Sequence, residues 1–296
     1  MAVGITTQHP LNENPYVTVA EYKNAPTSID IDNLVVGGNS NAQDAELKNV
    51  ILRASSFLDE YLNQNLNASK QVENQRIRFT PQGFISLHPN NSPVISLSSF
   101  QYGSDPTNLV TLPDCSVAWF EDQQIVIPVS QLSTTWTNQG PLSFGGAYSN
   151  SQQIFARYEY TSGYVNNPIA TATAGQSTLT VQDATGIVAG MKLRIYDGAS
   201  SETVTVNSSY TYGSTTVPLT AALSFAHSAG VPLGNLPNAI KEACILVTTA
   251  FIKMRGDTSM TMNVTTQAGA NITGAERYGS EIATALQMVQ LYRRVR

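Results

Sequence analysis

Few side chains in this sequence are of the kinds that do chemistry, and their spacing limits what they could attempt. The three histidines, His9, His88 and His227, stand far apart, and none falls at the H-x-x-x-H or C-x-x-C spacing that presents zinc ligands from one helix face or turn. They read as surface or packing residues, and no metal site is expected. Asp30-Ile31-Asp32-Asn33 begins like a calcium loop, yet Leu34 occupies the next ligand position and no glutamate follows where the bidentate ligand belongs. Gly186, Gly190 and Lys192 are only superficially like a phosphate loop, because they lie among strands rather than at the start of a helix. Asp59-Glu60 and Glu121-Asp122 are adjacent carboxylates. Neighbours on a helix do not face each other, so the first pair reads as a solvated face. G-x-S-x-G, Walker A and H-E-x-x-H are missing. No catalytic residue, cofactor site or cofactor is expected, and the chain reads as a non-enzyme.

Cys115 and Cys244 are the two cysteines. Cys244 lies on a helix face, where a reduced, buried thiol is the expectation. Two cysteines make no disulfide framework, which fits a reducing cytoplasm better than secretion, and the N-terminus lacks the basic start and apolar run of a signal peptide. Tyr196, Tyr210, Tyr212 and Phe225 could form a sugar-binding platform, although core and edge packing is the preferred use.

The elements that would position these groups are unevenly distributed. Two patterned helices, about 44–66 and 237–255, flank a long stretch of short strands and turns rich in Ser, Thr, Asn and Gln. In the first helix Leu47, Val50, Ile51, Ala54, Leu58, Tyr61 and Leu62 form one stripe. In the second, Ile240, Cys244, Val247, Phe251 and Met254 form an apolar row, and Ile245, Leu246, Ala250 and Ile252 fill the other faces. Such a helix belongs in a core or against another subunit. Thr18 and Glu21 form a T-x-x-E capping box opening a short helix, Val19 to Asn24, ahead of Pro26. Ile77 and Phe79 alternate with polar neighbours, Pro81-Gln82-Gly83 supplies a turn, and Phe84 to Leu87 returns. Further strands are expected at 94–102, 117–120, 124–127 and 154–160, with 128–153 as loops. From 169 to 234, Leu179/Val181, Leu193/Ile195, Val204/Val206 and Val217/Leu219 mark evenly spaced short strands, with a hairpin signal at Asp197-Gly198. Gly256 suits a helix stop. Residues 257–274 read as a flexible arm, and a last helix at about 276–296 places Ile282, Leu286, Val289 and Tyr292 on one side.

The expected fold class is therefore α+β, with residues 1–168 and 235–296 as a helical core carrying a β-rich insertion and an extended C-terminal arm, and 169–234 as an inserted small β module. Charged residues are only 12% of the chain, so solubility rests on neutral polar groups. The net charge of −5 argues against a general nucleic-acid binder. No membrane span is present.

Taken in order, several segments carry a family likeness: Tyr16 to Lys23, Ala45 to Ser55, Leu87-His88-Pro89 with Pro93-Val94-Ile95, Tyr158 to Tyr164, Gly190 to Gly198, and above all Leu236 to Lys241 through Ile252 to Gly256. The chain resembles the head-to-tail adaptors (connector proteins) of long-tailed bacteriophages, especially those infecting actinobacteria. The resemblance implies a helical core repeated as a ring of about twelve copies bolted beneath the portal. It also implies a C-terminal segment reaching the portal, β parts facing a tail-side neck or tail-terminator protein, and double-stranded DNA passing through the channel without specific binding. Localisation follows as the virion neck, after assembly in the host cytoplasm. The expected portal contacts are Tyr292, Arg293, Arg294 and Arg296 on an arm spanning 257–296, meeting acidic or carbonyl-rich surface. Ile240, Cys244, Val247, Phe251 and Met254 are the expected interface or core row. The alternative is a β-rich phage or cell-surface module binding glycans through residues 169–234.

Overall fold

The structure, a computed structural model, describes residues 14–27, 29–78, 84–121, 124–128, 153–256 and 274–294. The chain is α+β and divides into two compact units, one built mainly on Ala68–Tyr164, the other on Pro10–Asn67 with most of Val165–Arg296. The β module expected at 169–234 thus groups with the helices, and the earlier strands stand by themselves.

In the helical unit, the capping box is present as read. The Glu21 N–H donates to Thr18 Oγ1 at 3.2 Å, and the Thr18 N–H donates to Glu21 Oε2 at 2.8 Å, opening α1 (Val19–Asn24). Helix α2 (Ser40–Leu62) starts and stops about four residues earlier than the expected 44–66, ending with the last residue of its apolar stripe. Asn39 caps it by accepting from the Ala42 N–H at 3.0 Å, and Asn63 takes the left-handed conformation (φ 58°) that ends it. Helix α3 (Asn238–Gly256) includes Gly256 as its last residue. The expected arm at 257–273 lies outside the described residues. From Gly274 the chain is α4 (Gly274–Val289) followed by a 3-10 turn, Gln290–Tyr292, so the last helix is shorter than 276–296.

The same unit holds the β module. Strands β8 (Asn166–Pro168), β10 (Lys192–Ile195), β11 (Glu202–Thr205) and β13 (Pro232–Gly234) form one antiparallel sheet in the order β11-β10-β13-β8; β9 (Thr178–Thr180) and β12 (Thr216–Pro218) form a pair. Single bridges, Ile169 to Val181 and Val206 to Leu219, stitch the pair to the sheet. Leu179, Val181, Leu193, Ile195, Val204, Val206, Val217 and Leu219 are all buried, as alternation requires. Asp197-Gly198 does turn the chain between β10 and β11, through a 3-10 turn rather than a two-residue hairpin. A side chain at Gly234 would meet the Val165 carbonyl oxygen at 2.3 Å, so β13 can approach β8 only with glycine there.

In the other unit, β1 (Ser69–Arg78), β7 (Gln153–Ser162), β3 (Val94–Asp105) and β4 (Asn108–Thr111) make an antiparallel sheet in that order. Strands β2 (Phe84–Leu87), β6 (Gln124–Pro128) and β5 (Trp119–Glu121) make a second. Between them lies one core, including Ile77, Ile85, Phe100, Tyr102, Ile127 and Tyr158. Among the described residues, 84–87 form no ladder with the end of β1, and Phe79 lies outside them. Strand β1 pairs with β7 along all ten of its residues and β2 with β6 along four, so each finds its ladder in a partner distant in sequence. Pro81-Gln82-Gly83 and most of the expected loop at 128–153 lie outside the described residues.

Candidate functional site

Each residue of the apolar row of α3 can be placed. Ile240, Cys244 and Val247 are fully buried, along with Ala243 and Ala250, while Phe251 and Met254 are half-buried. Their cover comes from the same chain. Phe251 meets Phe57 of α2 edge-on with ring centroids 5.8 Å apart, and Cys244 Sγ lies 3.5 Å from Ser55 Oγ. On the other side α4 packs along α3, where Lys253 Nζ pairs with Glu281 at 2.5 Å. Burial contributes roughly 2 kcal/mol for each of Ile240 and Val247. It also pushes the Cys244 thiol up to about 11, leaving it protonated and inert as a nucleophile.

The C-terminal turn is fastened to the end of α2. The Arg294 N–H donates to the Leu62 carbonyl at 3.0 Å, Gln64 Nε2 donates to the Tyr292 carbonyl at 2.7 Å, and the Arg293 guanidinium lies 5.1 Å from the Tyr61 ring centroid. These contacts engage one backbone N–H of Arg294 and the face of an aromatic ring, at the end of α2. Arg296 lies outside the described residues. Next to this anchored turn Leu291 is 93% exposed and Met288 is 36% exposed.

A second cluster joins α1, α3 and the β module. Lys241 is buried, and its Nζ donates to Glu21 Oε1 at 2.5 Å while lying 3.5 Å from the centroid of Tyr196. Burial holds the Lys241 ammonium below the usual lysine range, against the pull of Glu21. The Tyr196 hydroxyl donates to the Leu236 carbonyl at 3.2 Å. Nearby, buried His227 sits between two carboxylates: Nδ1 is 2.8 Å from Asp197 Oδ2 and Nε2 is 3.0 Å from Glu202 Oε1. Glu202 also accepts the N–H groups of Ser224 (2.9 Å) and Phe225 (3.1 Å). Burial raises its pKa, but the Ser224 N–H, the His227 ring and the Phe225 N–H together outweigh burial and hold the carboxyl below its usual range. A cavity of about 500 Å³ opens beside this cluster, lined by Thr18, Glu21, Asn24, Tyr196, Asp197 and Ser201 among others.

No protein-family model, curated protein or solved structure matches the chain.

The chemistry of the cluster is that of a fastening. Both ring nitrogens of His227 already face carboxylates, so neither is available as a base toward a hydroxyl, and the carboxylates diverge on opposite sides of the ring instead of converging on one point. Among the described residues no group of three His, Cys, Asp or Glu is placed to hold a metal ion. Of the aromatic residues that could make a sugar platform, Tyr196 is engaged by Lys241, and Tyr210 is buried with its hydroxyl on the Ser214 carbonyl. Tyr212 and Phe225 are exposed. His88 stands exposed near Gln75, whose side-chain carbonyl accepts the His88 N–H at 3.2 Å; His9 lies outside the described residues. The Asp30 carboxylate accepts the Asp32 N–H at 2.9 Å, the bond of a small turn. Sequence reading missed both fastenings. A lysine in the first turns of a helix that is apolar on most faces does signal a buried partner, but nothing in the spacing links Asp197 and Glu202 to His227. No helix among the described residues is long and apolar enough to cross a membrane.

Proposed function

We propose that the chain is a head-to-tail adaptor of a long-tailed phage, a structural neck protein whose copies close into a ring beneath the portal. The ring joins the DNA-filled head to the tail-side neck or tail-terminator protein and leaves a channel for DNA. The ordered family likeness from Tyr16 to Gly256 supports this reading, and so does a helical body bearing β parts. The observation that carries it is Leu291. A leucine 93% exposed, beside Met288 at 36%, is held out on a turn that is itself tied to α2 through Arg293 and Arg294. Leu291 and Met288 together make a small apolar patch on a fixed mount, the kind of anchor that a partner covers, and in this reading the partner is the portal. The net charge of −5 per copy, repeated around a ring, would repel DNA from the channel wall and let it pass unbound. Native mass measurement or electron microscopy of the purified chain tests the reading. A closed ring of identical subunits is expected. A monomer that persists at high concentration would overturn it.

A further inference from the structure

Resting on that ring reading, we infer that neighbouring subunits join by β-strand addition, the outer edge of β1 in one copy pairing with the outer edge of β4 in the next. These two strands end the sheet β1-β7-β3-β4. Among the described residues neither pairs with a further strand on its outer side, so each is an edge to which a strand can add.

Strand β1 has the form of a docking edge. It runs ten residues, Ser69 to Arg78, in unbroken register with β7, from Ser69 opposite Ser162 to Arg78 opposite Gln153. Strand β1 has no bulge and no proline, whereas the β3–β7 ladder within the sheet is bulged twice; the β1 edge is guarded by charge alone, Lys70 and Arg76 outward and Glu73 inward, which deters a like edge. Along its solvent face Lys70, Val72, Asn74 and Arg76 are exposed; Val72 is 47% exposed, and the Arg76 guanidinium lies 4.8 Å from the Phe155 ring centroid.

Charge selects the partner edge. Residues 69–78 hold Lys70, Arg76 and Arg78 against one acid, Glu73, which is buried and accepts from Tyr158, Tyr160 and the Asn90 N–H. Two β1 edges would therefore set cation against cation, which disfavours a two-fold dimer. The stretch 105–114 around β4 holds two aspartates and no lysine or arginine. Of these, Asp114 is exposed, and its carboxylate is held below the usual range by the N–H and hydroxyl of Ser116. Unlike edges joined head to tail form a heterologous contact, which closes into a ring when the rotation per copy allows. The contact is short, matched to the four residues of β4, so main-chain pairing sets its geometry and the flanking charges set its choice of partner.

The test compares the unaltered chain with K70E/R76E, N108K/D114K and the four-fold combination, by native mass spectrometry and by amide exchange. Each double variant is expected to raise the concentration at which half of the chain is in rings by roughly tenfold or more, and the combination to restore it. Amides on the outer edge of residues 69–78 should exchange at least about tenfold more slowly in the ring than in the monomer. Rings that form normally with K70E/R76E, or amides equally protected in monomer and ring, overturn the edge pairing and leave the ring reading standing. Dimers in place of rings, or failure of the combination to recover, overturn it too. A chain that never forms rings overturns the ring reading, and the edge pairing falls with it.

Discussion

Glu202 shows how much one carboxylate can organise. It ties β11 to the segment before β13 through two backbone N–H groups and the His227 ring, so two stretches of the β module meet at one side chain. Because its folded pKa lies below the ordinary value of 4.5, its stabilisation is complete above about that pH and is lost as pH falls through the lower, folded value. Thermal unfolding followed across this acid range should show the melting temperature dropping. Glu202→Gln should cost about 2 kcal/mol at neutral pH, and its melting curve should converge with that of the parent chain at low pH. Equal melting temperatures at neutral pH would show that the carboxylate carries no net weight. Lys241 follows a related logic, since its ammonium is removed from water and answered by Glu21 and by the face of Tyr196. The chemistry of these residues was visible in the sequence only as types. Which of them meet was not, because their partners lie 25 to 220 residues away.

At the scale of elements, short-range signals were legible and long-range ones were not. The T-x-x-E box predicted α1, and the structure adds that Glu21 divides its two oxygens, one closing the box and the other taking Lys241 of α3. Thr18→Ala should therefore weaken more than one turn of helix. A loss of about 1 kcal/mol is expected from the cap alone, read by chemical denaturation, with a larger loss if the Glu21 carboxylate swings away from Lys241. An unchanged denaturation midpoint would mean that the box is idle. The stripe of α2 gave the buried face correctly but not the ends, since these are set by single residues, Asn39 and Asn63, outside the apolar pattern. Strand positions followed from alternation. Strand partners did not, as the separation of β1 from β2 shows: the pairing of Ile77 with Ile154 is a tertiary choice that no local turn signal encodes. The cover on α3 belongs to the same class. An all-round apolar helix fits a core and a subunit interface equally well, and here α2 and α4 supply the cover.

For the whole molecule, that cover changes which variant can test docking to the portal. Removing residues 257–296 would take α4 with them, uncover α3 and break the Lys253–Glu281 pair, so lost attachment would say little about contact. Leu291→Asp avoids this difficulty. The side chain is 93% exposed, so the substitution should change folding stability by no more than about 0.5 kcal/mol and leave ring formation intact. Docking would bury the same leucine and gain roughly 2 kcal/mol per copy, a gain that the aspartate forfeits while adding a charge to be desolvated. Copies fixed in one ring engage together, so a modest loss in each becomes a collapse of the whole attachment. Assembly reactions with the variant should therefore yield full heads and free tails that do not join, counted by electron microscopy, with rings and melting temperature as in the parent chain. Normal joining would remove the C-terminal turn from the portal contact, and Val36, at 99% the other almost fully exposed aliphatic side chain among the described residues, would become the next anchor to replace.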